Sequence, residues 1–212
     1  MKSDKKLKIA ICGTRGIPAC YGGFETFAEE LSTRLVERGH SVRVYGRSHV
    51  IDYSESSYKG VEIELLSAPK HKYLETPVHT FKSFLHLLSN PVDAVLICNG
   101  ANSPFAWIPR FLGRTPITIN VDGIERLRGK WNSLGKLWYL LGEFCSVLFA
   151  NIMISDAEVI REYYKDRYKK DSVVLRYGYR NVPEESVQSK IKDTNIGLDD
   201  TCLLYTSPSP RD

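Results

Sequence analysis

Gly13, Arg15, Gly16, Gly22, Gly23 and Glu25 fall within one short stretch, ICGTRGIPACYGGFETFAEEL (residues 11–31), between an apolar run and a strongly helical pattern. Glycines let backbone N–H groups approach an anion closely, and a helix starting just beyond them brings the positive end of its dipole to the same place. Gly22 and Gly23 stand immediately before that helix, which favours phosphate-type binding over a plain turn. Arg15 adds a guanidinium fork suited to phosphate or carboxylate. Glu25, in the first helical turn, complements the dipole and is placed to accept a ligand hydroxyl. Tyr21, next to the glycine pair, joins these as a candidate substrate-binding residue.

Two further stretches carry comparable chemistry. CNGANSP (98–104) puts Asn99, Gly100, Asn102 and Ser103 after an apolar run. There Asn102 or Ser103 either contacts a ligand or caps the next helix. NVDGIERLRGKW (120–131) puts Asp122 beside Gly123, followed by Glu125, Arg126, Arg128 and Lys130. A carboxylate among cations stays ionised and serves to orient a hydroxyl or to act as a base. Arg128 and Lys130 read as a solvated charge run. His79 and His86, seven apart on one helical pattern, suit structural roles better than metal ligation; His40 reads as part of a helix-to-strand turn. Tyr163, Tyr164 and Tyr168 read as packing residues with solvated hydroxyls.

These stretches need elements that bring them together. Strands are expected at 7–12, 41–46, 61–66, 93–98, 116–121, 151–154 and 172–176, from short apolar runs bounded by turn residues. Helices are expected at 24–39, 76–89, 132–149 and 156–168, with a short helical stretch at 103–113 broken at Pro109. The apolar segment 134–154 reads as a buried helix followed by a strand, interrupted by Lys136, Glu143 and Asn151. Strands alternating with helices imply βαβ units: an α/β fold with a Rossmann-like parallel sheet and helices on both faces. Ligands bind outside the carboxyl ends of the strands in such a sheet. All three chemical stretches follow strands, so they converge on one edge, and Asp122 is read as functional for that reason.

Composition narrows the classes. The 212 residues are 42% hydrophobic and 25% charged with a net charge of +4, an ordinary globular balance. The mild charge argues against nucleic-acid binding. Five cysteines, with no CxxC pair, favour reduced thiols over a disulfide framework or a zinc site. The glycine spacing is not G-x-G-x-x-G and the second strand ends VYGRS without an acidic residue. A dinucleotide enzyme is thereby weakened, although Arg47 is available in the sequence for the 2′-phosphate of NADP.

The stretch GTRGIPACYGGFETFAEELSTRLVERGHSVRVYGR resembles the amino-terminal region of bacterial glycosyltransferases of family four, in particular the rhamnosyltransferase-like subgroup. NPVDAVLICNGANSPF, NVDGIERLRGKW and SDAEVIREYY resemble that subgroup in the same order, from about Lys8 to Gly178. The resemblance implies the amino-terminal, acceptor-side half of a GT-B fold and a nucleotide-sugar donor with no metal or separate cofactor. It implies a retaining reaction and a role in surface polysaccharide synthesis. Gly22 and Gly23 match the pair that lies against the donor phosphates, and Asp122 the polar position facing the donor sugar, where many relatives have histidine. Acceptors of such enzymes are often lipid-linked glycans, which places the protein in the cytoplasm or at the inner membrane face. Lys70, Lys72, Arg110 and Arg114, with the aromatic helix 79–88, are the expected contacts with anionic lipid.

The resemblance also implies a second domain with paired glutamates for the donor, so the half alone is expected to be inactive. Residues 1–180 are read as the acceptor-side domain and 181–201 as the start of an interdomain linker. The terminal CLLYTSPSPRD resembles a translated sequencing-library adapter, and 202–212 is set aside on that ground. An NADP-dependent oxidoreductase and a non-catalytic sugar-binding module are the alternative readings.

Overall fold

The structure is a computed structural model and describes residues 5–20, 22–129 and 131–178. The chain divides into two units, Met1–Arg176 and Tyr177–Asp212; the first is described here. The calls for 181–201 and 202–212 lie outside the described residues.

Eight strands form one sheet: β1 (Lys8–Cys12), β2 (Ser41–Arg47), β3 (Ser57–Tyr58), β4 (Val61–Leu66), β5 (Ala94–Cys98), β6 (Ile117–Val121), β7 (Ile152–Ser155) and β8 (Val173–Val174). Their spatial order is β3-β4-β2-β1-β5-β6-β7-β8. All pairs are parallel except β3 with β4, a two-residue edge that no apolar run announces. The central strands read as unbroken apolar runs because both faces are covered. On one face α1 (Gly23–Glu37) lays Phe24, Phe27, Leu31 and Leu35 over Ile11, Val42, Val44 and Leu96. On the other lie α2 (Glu75–Ser89), α3 (Ser133–Phe149) and α4 (Glu158–Tyr168), packed over Ala10, Val95, Ile97, Ile119 and Met153. Each fully buried aliphatic side chain contributes roughly 2 kcal/mol of transfer free energy.

Helix α1 ends as its sequence requires. Gly39 takes φ +87, and the His40 N–H reaches the Leu35 carbonyl at 3.0 Å. His40 then ties the turn to β1, its Nδ1 accepting from the Leu7 N–H at 3.2 Å.

Two elements depart from expectation. The helical stretch expected at 103–113, broken at Pro109, is instead a 3-10 turn over Gly100–Phe105 followed by a π turn over Ile108–Leu112, with Pro109 inside the second. Pro104 and Pro109 carry no N–H to donate, so regular α hydrogen bonding cannot run through them. Helix α3 was expected to be buried. Its inward face is buried at Gly135, Gly142, Cys145 and Ser146, but Leu137, Phe144 and Leu148 are exposed. The helix is covered on one side only, and no helix among the described residues is long and apolar enough to cross a membrane.

Candidate functional site

The parallel register aligns the strand ends. Cys12 of β1 pairs with Ile97 of β5, Cys98 with Asn120 of β6, and Val121 with Ser155 of β7. Gly13, Asn99, Asp122 and Asp156 therefore follow neighbouring strands at one edge. The sheet order reverses direction between β1 and β5, where the first and second loops emerge, and such a switch point opens a crevice.

The four glycines of the first loop divide into two kinds. Gly13 and Gly16 have φ +90 and +117. A Cβ on Gly13 would stand 2.2 Å from the Cys98 carbonyl, and one on Gly16 2.8 Å from the Gly46 Cα. These two are required by backbone conformation and close packing. Gly22 is extended at φ −157, and a Cβ on it would meet only the flexible end of Glu25. Among the described residues, a Cβ on Gly23 would meet nothing within 4 Å. Helix α1 begins at this pair without a side-chain cap. Neither conformation nor packing requires Gly22 or Gly23, and together they leave the helix start open.

The side chains around the loop are deployed differently from expectation. Glu25 is buried, and its carboxylate accepts from the Arg15 N–H at 2.9 Å. It clamps the glycine loop to its own helix instead of waiting for a ligand hydroxyl. The Arg15 carbonyl in turn accepts from the Arg47 N–H at 2.9 Å. Arg47 is buried, donating to Glu75 at 2.7 Å and to Thr76 at 3.1 Å. Its guanidinium is committed to that ion pair, which removes the support it lent to NADP binding. Tyr21 lies outside the described residues.

In the second loop, Asn99 occupies φ +69, a conformation non-glycine residues seldom adopt. Its side chain accepts from the Ala101 N–H at 2.9 Å, so Asn99, and neither Asn102 nor Ser103, caps the turn. Ser103 bonds to Ser146 on α3 at 2.7 Å. Asn102 is buried. Its amide donates towards the carbonyls of Cys98 (2.7 Å), Asn99 (3.2 Å) and Gly13 (3.3 Å), and its oxygen accepts from Thr80. Gly100 is half-buried against α3: a Cβ on Gly142 would stand 2.5 Å from the Gly100 carbonyl.

The third loop places Asp122 in a small cleft of about 20 Å³ shared with Asn99, Gly100, Gly123, Glu125 and Glu143. That volume suits one water molecule or one hydroxyl. Asp122 is half-buried and accepts from the Gly123 N–H at 2.8 Å. Glu125 pairs with Arg128 at 2.7 Å and accepts from the Trp131 indole at 3.3 Å. Arg126 is held by Glu143 at 2.9 Å and by the Tyr163 hydroxyl at 2.7 Å. Both were read as substrate contacts; Glu125 is paired within the loop, and Arg126 is paired with Glu143 of α3 and Tyr163 of α4.

Glu143 was missed as part of the site. It is the lone carboxylate of α3, buried, and accepts from Tyr163 at 2.8 Å and Tyr168 at 3.0 Å. Those hydroxyls are bonded inside the protein, not to solvent. Its signal was present: a single charge in an apolar helix is costly unless paired. Asp156, one strand along from Asp122, was also not singled out. His79 is buried and His86 half-buried, both on α2. His79 bonds to the Gly46 carbonyl at 2.9 Å, and His86 to the Tyr45 hydroxyl at 2.9 Å.

The fold recurs in solved structures. Sucrose-phosphate synthase from Thermosynechococcus elongatus is similar with a TM-score of 0.67 at 13% identity, over 88% of this chain and 53% of that one. Anabaena HepE in complex with UDP-glucose is similar with a TM-score of 0.58 at 13% identity, over 89% and 50%. A glycosyltransferase from Rickettsia africae is similar with a TM-score of 0.57 at 13% identity, over 91% and 50%. The fold is one half of the GT-B type. The chain spans about half the length of these structures. At such identity the likeness concerns the fold alone. A family model described as a domain of unknown function (DUF1972) matches residues 88–180. No curated protein matches this sequence.

Proposed function

We propose that this chain is the amino-terminal, acceptor-side half of a nucleotide-sugar-dependent glycosyltransferase, retaining and rhamnosyltransferase-like, acting in surface polysaccharide synthesis. The observation that carries the reading is the open start of α1 at Gly22–Gly23, beside the switch point of a GT-B half. A diphosphate laid there meets helix-end amides, with the flexible end of Glu25 the one side chain near Gly22 among the described residues. When the bond between the sugar's anomeric carbon and the diphosphate breaks, its electron pair goes to the phosphate oxygen, and the amides stabilise the growing charge. The acceptor hydroxyl oxygen bonds to that carbon and loses its proton to a base. Asp122, in a cleft of hydroxyl size, orients a sugar hydroxyl or takes that proton. The strained Asn99 beside it is consistent with a functional edge. The co-substrate is the nucleotide-sugar, and no separate cofactor enters this scheme.

The test is transfer by the gene product read past the codon for Thr201, with a panel of nucleotide-sugars and a glycan acceptor. Nucleoside diphosphate release is expected from the extended protein, at least 100-fold less from Asp122→Asn, and none from the 212-residue chain. Transfer by the short chain alone would refute the half-enzyme reading. Thermal stabilisation by NADPH, with none by sugar nucleotides, would restore the oxidoreductase. A frame that truly ends at CLLYTSPSPRD would turn the question to a sugar-binding module.

A further inference from the structure

Glu143 is buried on α3, and stability gives a weak account of it. A buried ion pair seldom stabilises a fold more than well-packed apolar residues of similar volume. The geometry gives a better account, because the two carboxylate oxygens serve different elements. Oε1 accepts from the Arg126 Nε–H at 2.9 Å, from the loop after β6. Oε2 accepts from the hydroxyls of Tyr163 at 2.8 Å and Tyr168 at 3.0 Å, both on α4. Tyr163 closes the circuit by accepting from Arg126 Nη2 at 2.7 Å. Only a carboxylate accepts on both sides; glutamine would turn its NH₂ towards either the arginine or the tyrosines.

The loop that Glu143 grips is the one that carries Asp122. Several bonds of that loop close on the loop itself: the Gly123 N–H to Asp122, Arg128 to Glu125, and the Trp131 indole to Glu125. These shape the loop without tying it to the sheet and its helices. At its far end Trp131 packs on Tyr139 of α3, with ring centres 5.0 Å apart. Nearer to Asp122, Arg126 reaches out of the loop to α3 and α4. Glu143 and Tyr164 of α4 also line the cleft that holds Asp122. The anchor of the loop and its carboxylate therefore share one wall.

We propose that Glu143 is a positioning residue: it fixes Arg126, and through Arg126 it keeps the Asp122 carboxylate in place at the carboxyl edge. The inference rests on the glycosyltransferase reading given above. Glu143 touches no reacting atom in this scheme. The donor diphosphate is assigned to the start of α1, whose loop is clamped separately by Glu25. Loss of Glu143 should accordingly slow transfer more than it weakens donor binding.

Two measurements test this. In the protein extended past the codon for Thr201, Glu143→Gln should lower kcat on the order of 10- to 100-fold, as a small displacement of a reacting group does, and leave the donor KM within about threefold. Arg126→Gln cuts the same tie from the loop side and leaves Glu143 bonded to both tyrosines, so it decides the matter should Glu143→Gln fail to fold. It should lose as much kcat, and the double variant no more than either alone. Leu87→Ala, a core change on α2, should lower the melting temperature and spare kcat, which separates position from stability. In the 212-residue chain, hydrogen exchange at the amides of 123–131 should quicken at least about tenfold in either single variant while those of β6 stay protected. With an active wild-type enzyme, unchanged kcat in the single variants or unchanged loop exchange would overturn the inference and leave the glycosyltransferase reading standing. A donor KM raised by Arg126→Gln with kcat intact would overturn it too, by assigning Arg126 to the ligand. No transfer by the extended wild-type protein would overturn the glycosyltransferase reading and, with it, the purpose assigned to the tie.

Discussion

Asn102 offers a sharp test of which loop residues hold the edge together and which are left for ligand. Its amide is surrounded by three carbonyls, of Cys98, Asn99 and Gly13, at 2.7, 3.2 and 3.3 Å. An NH₂ group has two hydrogens, so at most two of these are full bonds and the third is shared. The oxygen accepts from Thr80, giving three bonds' worth of interaction in a buried site. Asn102→Ala leaves those partners unsatisfied, at about 1 kcal/mol each and about 3 kcal/mol in all. For a chain of this size the melting temperature should fall by roughly 6–12 °C. Asn102→Asp changes fewer atoms but points a second oxygen at the carbonyls and buries a charge among them. It should therefore be worse than alanine at neutral pH by at least about 1 kcal/mol. Urea denaturation of the three proteins gives the ordering directly. A loss below about 1 kcal/mol for Asn102→Ala, or an aspartate variant no worse than alanine, would refute the account of Asn102 as the tie between the first two loops.

Other predictions follow from the same structure. His79 is held down to about 4 from its ordinary 6.5, chiefly by burial, against the opposing bond to the Gly46 carbonyl. A lowered folded value means the unfolded chain binds the extra proton first. Stability is thus complete above pH 6.5 and lost as pH falls towards 4, by roughly 2 kcal/mol at pH 5. That difference between pH 7 and pH 5 should largely vanish in His79→Gln if His79 is its source; an unchanged slope would assign it elsewhere. Gly13→Ala should destabilise by roughly 3 kcal/mol or more, through the Cys98 carbonyl contact and the positive φ, as chemical denaturation would report. Gly23→Ala should be neutral to stabilising by about 0.5–1 kcal/mol, since alanine suits a helix better, yet should lower sugar transfer in the extended enzyme.

Much of the fold was legible because its signals are local. Apolar runs such as AVLIC at β5 and ITINV at β6 lie between covering layers, and turn residues bound them. The two-residue β3 was not legible, since Ser57 and Tyr58 pair with β4 through backbone alone. Nor was the exposure of α3, because hydropathy reports that a helix is apolar and not how many of its sides find a partner. The site divides along the same line. That three loops meet at one edge follows from strand alternation. Which side chains remain free there depends on partners distant in sequence: Asn102 reaches Gly13 across 89 positions, and Arg126 reaches Glu143 across 17. The glycines make the point within one loop. In sequence Gly13, Gly16, Gly22 and Gly23 are alike. In the fold the first two are fixed by φ and by the backbones behind them, and only the last two have no structural duty. A residue type that costs conformational entropy without repaying it in packing needs another reason to be there. At the uncapped start of a helix beside the switch point, room for an anionic ligand supplies one.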